Sequence, residues 1–262
     1  MKKSKGDYAI QTVVNAMRLL EEFRDEEELG VTELARRLEL HKNNVFRLLA
    51  TLEQQGYIEQ SIDNERYRLG VKTLELGQSF ARSRTLTRRA RAVLADLAQS
   101  TREVAHVGVM RDFEVVHVAG EQTERPVMSG LRLGQRLPAH CTALGKALLG
   151  CGPEEVRQSF DREVVSGAEL PARTGTTIID PHKFFEELRT VTVRGFAIDR
   201  GECEDGLCCA AVPVYDTDGR VVAALSVSGP QFRMDEDRLQ TEIAPLVIEA
   251  GERLSRDLGY LA

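Results

Sequence analysis

A Gly-Lys pair at residues 145–146 is the first place in the sequence where side-chain chemistry could be expected. A phosphate-binding loop needs glycine where His140 stands and serine or threonine where Ala147 stands, so this pair does not predict nucleotide binding. The catalytic patterns HExxH, GxSxG and GxGxxG are all absent from the 262-residue sequence. The sequence therefore predicts a protein that is not an enzyme and needs no cofactor.

Thiol chemistry is the remaining reactive possibility. The sequence has five cysteines, an odd number without a secreted disulfide pattern, which favours reduced thiols in a cytoplasmic protein. His140 precedes Cys141, but sequence neighbours rarely face each other as base and nucleophile. Cys203, Cys208 and Cys209 lack Cys-x-x-Cys spacing. A redox-sensing thiol, or a zinc site that combines one or two of these thiols with His140, stays open as an alternative.

Hydrogen bonding to nucleic acid is indicated by a run of polar and basic side chains. Arginine pairs with guanine, asparagine with adenine, and lysine with guanine or phosphate. The net charge is −6, but residues 36–47 carry four basic side chains against one acidic. A locally basic patch of this kind binds DNA with a marked salt dependence. The candidate DNA-binding residues are Lys42, Asn43, Asn44, Arg47, Arg66 and Arg68.

These side chains are predicted to lie on a helix-turn-helix followed by a hairpin. Thr32 is expected to cap a short first helix with the apolar residues Leu34, Ala35 and Leu38. A second helix carries the apolar residues Val45, Leu48, Leu49 and Leu52. Gly56 is expected to end that helix. Residues 57–60 and 66–69 flank a polar turn as two strands, which would place Arg66 and Arg68 on one strand face. This order predicts a winged helix-turn-helix whose second helix enters the major groove of DNA.

Beyond residue 70 the pattern changes to a helical linker and then to an α/β domain. We predict a DNA-binding domain at residues 7–70, a linker helix at 71–85 and a second domain at 86–262. In the second domain, strands are expected at 104–110, 114–119, 196–199, 208–215 and 221–228, and a closing helix at 235–258. Hairpin-linked strands with helices at both ends predict an α+β fold with an antiparallel sheet. No stretch approaches the about 20 apolar residues of a membrane span.

The last two predicted strands carry a candidate ligand pocket. Alternation along residues 221–228 puts Ala224, Ser226 and Ser228 on one face, and Cys209 and Ala211 share a face of the partner strand. Small residues leave space, and hydroxyl and thiol groups can orient a ligand. A sheet face covered by a helix would give the same pattern, so the two interpretations are equally open.

Four runs of the sequence, taken together and in this order, resemble the IclR family of bacterial transcriptional regulators. They are LARRLELHKNNVFRLLATLEQQGYIE, RLPAHCTALGKALL, TGTTIIDP and RGFAIDRGECEDGLCCAAVPVYDTDGRVVAALSVSGP. The resemblance covers nearly the full length. It implies an N-terminal winged helix-turn-helix, a linker helix and a C-terminal effector-binding domain of GAF-like α/β fold. It also implies homodimers, often paired into homotetramers, on palindromic or repeated operators.

The resemblance further implies which positions hold an effector. The start of the Gly-Lys helix, the acid after Arg-Gly-Phe, the Gly-Leu-x-Cys run and the Ser-x-Ser-Gly-Pro run supply Ala143, Leu144, Asp199, Leu207, Cys209, Ser226 and Ser228. Two departures stand out. The usual Pro-Lys-Ser-Thr is replaced by residues 41–44, where Asn43 is expected to cap the helix. Cys208 stands where arginine is frequent, which alters the polarity of the pocket rim.

The sequence thus predicts a ligand-responsive DNA-binding regulator that works without catalysis. Its expected partners are a double-stranded DNA operator, a small-molecule effector and further copies of itself, with no membrane. Small organic or aromatic acids are the effectors typical of the family. The competing hypothesis is a thiol-redox or zinc-sensing regulator on the same scaffold. The sequence identifies neither the effector nor the operator, nor whether the protein represses or activates.

Overall fold

Two separate units make up the chain in this computed structural model, which describes residues 9–83, 85–123, 130–166 and 168–261. The division falls between Phe80 and Ala81. The helices and strands that begin before this division are α1 (Gln11–Glu21), α2 (Val31–Leu38), α3 (Lys42–Gln54), β1 (Ile58–Gln60), β2 (Tyr67–Leu69) and α4 (Val71–Ser83). Helix α4 continues three residues beyond the division.

The first unit is a helix-turn-helix followed by a two-stranded antiparallel hairpin, as predicted. Leu29 extends the hairpin, because its backbone N–H and C=O exchange two 2.9 Å hydrogen bonds with Tyr67. Gly56 ends α3 with a φ of +77°, a conformation that glycine adopts without strain. The expected cap at Asn43 was wrong: the helix already begins at Lys42, and extended His41 stands in the capping position without a side-chain bond.

The second unit is built on a six-stranded antiparallel sheet in the order β5-β4-β3-β8-β7-β6. Its strands are β3 (Val104–Arg111), β4 (Glu114–Glu121), β5 (Arg136–Pro138), β6 (Ala197–Arg200), β7 (Leu207–Tyr215) and β8 (Val221–Pro230). Its helices are α5 (Thr85–Thr101), α6 (Ala143–Cys151), α7 (Glu154–Phe160), α8 (Pro181–Arg194), α9 (Glu236–Arg238) and α10 (Ala244–Asp257).

Side-chain alternation in the central strands sorts this unit into two apolar layers. Leu225 and Val227 of β8 face the layer formed with α5 and α10. Ala224 faces the opposite layer, which contains α6 and α8. In register across β7 and β8, Ser226 pairs with Ala211 and Ser228 pairs with Cys209. The sheet therefore separates a closed apolar core from a face that carries polar groups.

Two elements differ from the sequence-based prediction. Strand β5 was not predicted, because three residues ending in Pro138 are too short to show alternation. The start of α2 is the second difference: the expected cap at Thr32 was wrong, because the helix already begins at Val31. The predicted closing helix at 235–258 is present without interruption from Glu236 to Asp257, with one wider π-helical turn at Leu239–Ile243.

Candidate functional site

Helix α3 presents a polar face because its apolar residues are buried on the other side. Val45 and Leu49 are completely buried in the core of the first unit. Lys42, Asn43, Asn44 and Arg47 are all exposed on the first two turns. These are the turns from which a recognition helix contacts base edges. The helix therefore presents several hydrogen-bond donors together on its exposed face.

The two hairpin arginines have different surroundings. Arg66 lies just before β2 rather than on it, so the predicted alternation with Arg68 does not position its side chain. Its guanidinium donates to the carbonyl oxygen of Glu28 at 2.8 Å and lies 3.4 Å from the carboxylate of Glu33. Arg68 is half exposed, with a 3.5 Å contact to Glu59. Arg66 thus braces the hairpin against α2, while Arg68 faces outward.

In the second unit, a cavity opens on the polar face of the sheet. All seven predicted effector positions line it: Ala143, Leu144, Asp199, Leu207, Cys209, Ser226 and Ser228. The structure adds six lining residues that sequence reasoning missed: His117, Arg132, Leu137, Thr142, Cys203 and Glu204. The cavity volume is only about 30 Å³, which is room for no more than a water molecule or two. Any ligand larger than water therefore requires lining side chains to move.

A charged pair and His117 form one side of the cavity, and His106 packs against His117. The guanidinium of Arg132 binds the carboxylate of Glu204 in a two-point ion pair, with 2.5 Å between Nη2 and Oε2. The backbone N–H of Arg132 donates to Nε2 of His106 at 3.3 Å. The rings of His106 and His117 meet edge to face, with centroids 5.0 Å apart. Burial lowers the pKa of His106 to about 3 and that of His117 to about 4, so both rings are neutral at pH 7.

A buried ionic cluster supports the opposite side. Asp199 accepts a 2.6 Å hydrogen bond from the backbone N–H of Glu202. The ammonium of Lys146 donates to Oε1 of Glu202 at 2.6 Å, and neither side chain is exposed by more than 5%. Burial, assisted by the charge of Glu202 and opposed by that of Lys146, raises the pKa of Asp199 to about 7. Near neutral pH, Asp199 therefore exists in both forms and can either donate or accept a hydrogen bond.

The cysteines of the second unit are all free thiols. The side chains of Cys141 and Cys203 interact electrostatically, and Cys203 also lines the cavity. No hydrogen bond joins His140 to Cys141 in the described ranges: Nε2 of His140 donates to the carbonyl oxygen of Pro171 at 2.9 Å, and the thiol of Cys141 donates to that of Pro138 at 3.7 Å. Within the described ranges, no three His, Cys, Asp or Glu side chains are grouped to hold a metal ion. The zinc alternative thus lacks structural support in this part of the chain.

A winged helix-turn-helix joined to a separate sensor domain defines a class of DNA-binding transcriptional regulators. The chain belongs to the IclR family, as the resemblance implied. The IclR helix-turn-helix domain matches residues 12–61. The domain described as bacterial transcriptional regulator IclR C-terminal matches residues 78–256. The protein is accordingly an IclR-type transcriptional regulator with a C-terminal effector domain.

Known relatives are similar over almost the entire chain. The regulator KdgR of Escherichia coli is 32% identical over 253 residues, which cover 96% of this chain and 94% of KdgR. The regulator XynR of Escherichia coli is 32% identical over 255 residues, 97% of this chain and 99% of XynR. These relatives are named as regulators rather than enzymes.

Solved structures agree with this fold. The Thermotoga maritima IclR structure is 29% identical, has a TM-score of 0.75, and matches over 96% of this chain and 100% of that one. An IclR homologue from Microbacterium hydrocarbonoxydans, solved with 4-hydroxybenzoate, is 26% identical with a TM-score of 0.79, over 95% and 99% of the two chains. None of the helices in the described ranges is long and apolar enough to cross a membrane.

Proposed function

We propose that this regulator reads its operator with α3 and the β1–β2 hairpin, and that a small organic acid bound in the cavity changes its affinity for that operator. The observation that carries the proposal is the cavity, because every effector position implied by the family resemblance borders it. An effector that binds one arrangement of the chain better than another can shift the DNA-binding equilibrium by at most that difference in binding free energy, and DNA must change the effector's affinity by the same factor.

On the DNA side, Lys42, Asn43, Asn44 and Arg47 are proposed to contact bases, and Arg68 to contact phosphate. Arg66 would stabilise the hairpin and could reach DNA only with the exposed part of its side chain. Arg47→Ala should weaken operator binding by about 1–3 kcal/mol, as loss of one base-reading contact does. Arg189→Ala, on the exposed surface of the second unit, is the control. An equal loss on operator and random DNA would make Arg47 a phosphate contact instead.

On the effector side, we infer that an acid binds by exchange. Its carboxylate would replace the carboxylate of Glu204 on the guanidinium of Arg132. The Glu204 side chain would move away, and this would enlarge the cavity for the ligand. Protonated Asp199 would donate a hydrogen bond to the acid, so the repulsion expected between two carboxylates is avoided. Leu144 and Leu207 would pack against the apolar part of the ligand. The Microbacterium homologue was solved with 4-hydroxybenzoate, a small aromatic acid, and this supports an effector of that class.

The paired substitution Ser226→Ala and Ser228→Ala tests the effector site. A panel of small acids that includes 4-hydroxybenzoate is first titrated calorimetrically into the parent protein. Two lost hydrogen bonds, at about 0.5–1.5 kcal/mol each, should weaken the acid that binds by roughly tenfold or more. Operator binding without the acid should persist. Ser159→Ala is the control, and an unchanged affinity in the double variant would move the effector site elsewhere.

Self-association is also proposed, on the basis of exposed apolar faces. Val13 and Met17 of α1, and Ile10 just before it, are each at least half exposed, and in α4 Val71 and Leu74 are more than 60% exposed. Such continuous apolar faces on helices are typical of subunit contacts. We therefore propose a homodimer or homotetramer. Sedimentation analysis of the parent and of Val71→Asp should show a larger species only in the parent; a monomeric parent would refute this proposal.

The contact between Cys141 and Cys203 favours thiol sensing as a second candidate function. Mild oxidation with diamide would join the two sulfurs, while the azo reagent takes up both electrons and both protons. If this candidate is correct, oxidised protein without effector releases its operator, and reduction restores binding. Cys203→Ser should prevent the release, and Cys151→Ser should not. Unchanged operator binding after oxidation would rule this candidate out.

A further inference from the structure

Phe46 is a large apolar side chain on the polar face of α3. It is 55% exposed, whereas the adjacent Val45 is fully buried. It is also not among the partly buried residues that pack against the core of the first unit. One helical turn separates it from Asn43 before it and from Ala50 after it, so these three residues lie on the same side of the helix. The ring contributes little to the fold and must be explained by what contacts this face.

The neighbours of Phe46 argue against a protein partner. The apolar residues exposed on α1 form a continuous face, as an interface between proteins requires. Phe46 instead stands among the donors Lys42, Asn43 and Arg47. Within α3, which the structure describes completely, it is the one large apolar side chain that is exposed. The complementary surface must therefore be rich in hydrogen-bonding groups and carry isolated apolar groups.

The major groove of DNA is a surface of this kind. Its base edges present acceptors and donors, and the 5-methyl group of thymine is the apolar feature among them. Phenylalanine is one of the side chains that contact this methyl group. Phe46 also lies in the first two turns of α3, the part of a recognition helix that meets the bases.

We propose that Phe46 recognises thymine in the operator by packing against its 5-methyl group. The inference rests on the proposed binding of DNA through α3 and adds an apolar determinant of specificity to the polar ones. Thymine would then be required beside the base pairs read by Asn43 and Arg47. Because a single methyl group is buried, the discrimination should be modest and confined to one or two positions in each half-site.

Removal of the methyl group from DNA tests this directly. An operator is selected with the full chain from a random duplex library, and each thymine is then replaced by uracil, which lacks only the 5-methyl group. We expect about fourfold weaker binding at one or two positions, the factor that corresponds to one buried methyl group. Phe46→Ala should bind the thymine and uracil duplexes equally. Arg47→Ala, the matched control, should bind both more weakly but keep the fourfold difference.

The outcomes separate this inference from the proposed function. A library that yields no enriched sequence would refute operator binding itself, and this inference with it. An enriched operator whose affinity is unchanged by uracil at every position would overturn the role of Phe46 while DNA binding stands. A uracil effect that persists in Phe46→Ala would assign the methyl contact to another residue. Phe46→Leu keeps an apolar side chain and should retain part of the effect, and circular dichroism verifies that each variant is folded.

Discussion

Replacement of Lys146 by methionine should strongly destabilise the effector domain. The ammonium is completely buried and bonds Glu202, whose side chain is only 5% exposed. The second carboxylate oxygen of Glu202 has no hydrogen-bond partner among the described residues. Methionine fills nearly the same volume, so the substitution removes the charge without opening a large cavity. It leaves a buried carboxylate without its counter-ion.

The size of the effect follows from the charge that is left uncompensated. Breaking a buried ion pair from one side usually costs about 3–5 kcal/mol, and we expect a loss of this size for Lys146→Met. Adding Glu202→Gln to Lys146→Met should restore most of the stability.

Urea unfolding followed by circular dichroism measures this loss, since the chain has no tryptophan for fluorescence. The control is Arg253→Met, which breaks the surface pair with Asp96, also 2.6 Å long but with side chains 45% and 59% exposed. Exposed pairs contribute about 0–1 kcal/mol. The reasoning is refuted if Lys146→Met costs no more than this control, or if adding Glu202→Gln restores none of the lost stability.

Three further outcomes are expected. Asp199→Asn should stabilise the domain by about 1–4 kcal/mol above pH 7 but not near pH 4. The folded state favours the neutral form of Asp199, so the stability of the parent is complete below the ordinary pKa of aspartate and is lost as the pH rises through the raised pKa of about 7. Denaturation measured at both pH values checks this. Gly145→Ala should prevent folding, since its Cβ would lie 2.2 Å from the carbonyl oxygen of Ala139, whereas Gly77→Ala, with nothing within 4 Å, should stabilise its helix by up to about 1 kcal/mol. Residues 86–262 alone should fold, associate and bind no operator in gel-shift assays.

Regular patterns explain what could be predicted from the sequence. The apolar spacing along α3 predicted both its buried side and its exposed donors. Alternation along β8 placed Ser226 and Ser228 on one face, and their register with β7 brings in Cys209. These features depend on residues close in sequence or on the geometry of one strand, so a linear pattern contains them. The seven effector positions remain proposed contacts, although the structure gathers them around one cavity.

Long-range contacts between irregular segments could not be predicted in this way. Arg132 and Glu204 are 72 positions apart and both lie outside helices and strands, so no periodicity links them. The buried ammonium of Lys146 pairs with Glu202, which lies 56 positions away in the sequence. The Gly-Lys pair in the sequence does not reveal this contact. His117 was within reach of prediction, because alternation along β4 places it on the same face as Val115.

The separation of the two faces of β8 bears on how this protein could acquire new ligands. Ser226 and Ser228 border the cavity, whereas Leu225 and Val227 belong to the apolar layer behind the sheet. Substitutions at the two serines can change ligand preference while the packing of that layer is left intact. A library varied only at these two positions should therefore contain mostly folded members. In a strand with this arrangement, adaptation to a new ligand and retention of the fold depend on different residue positions of the same short segment.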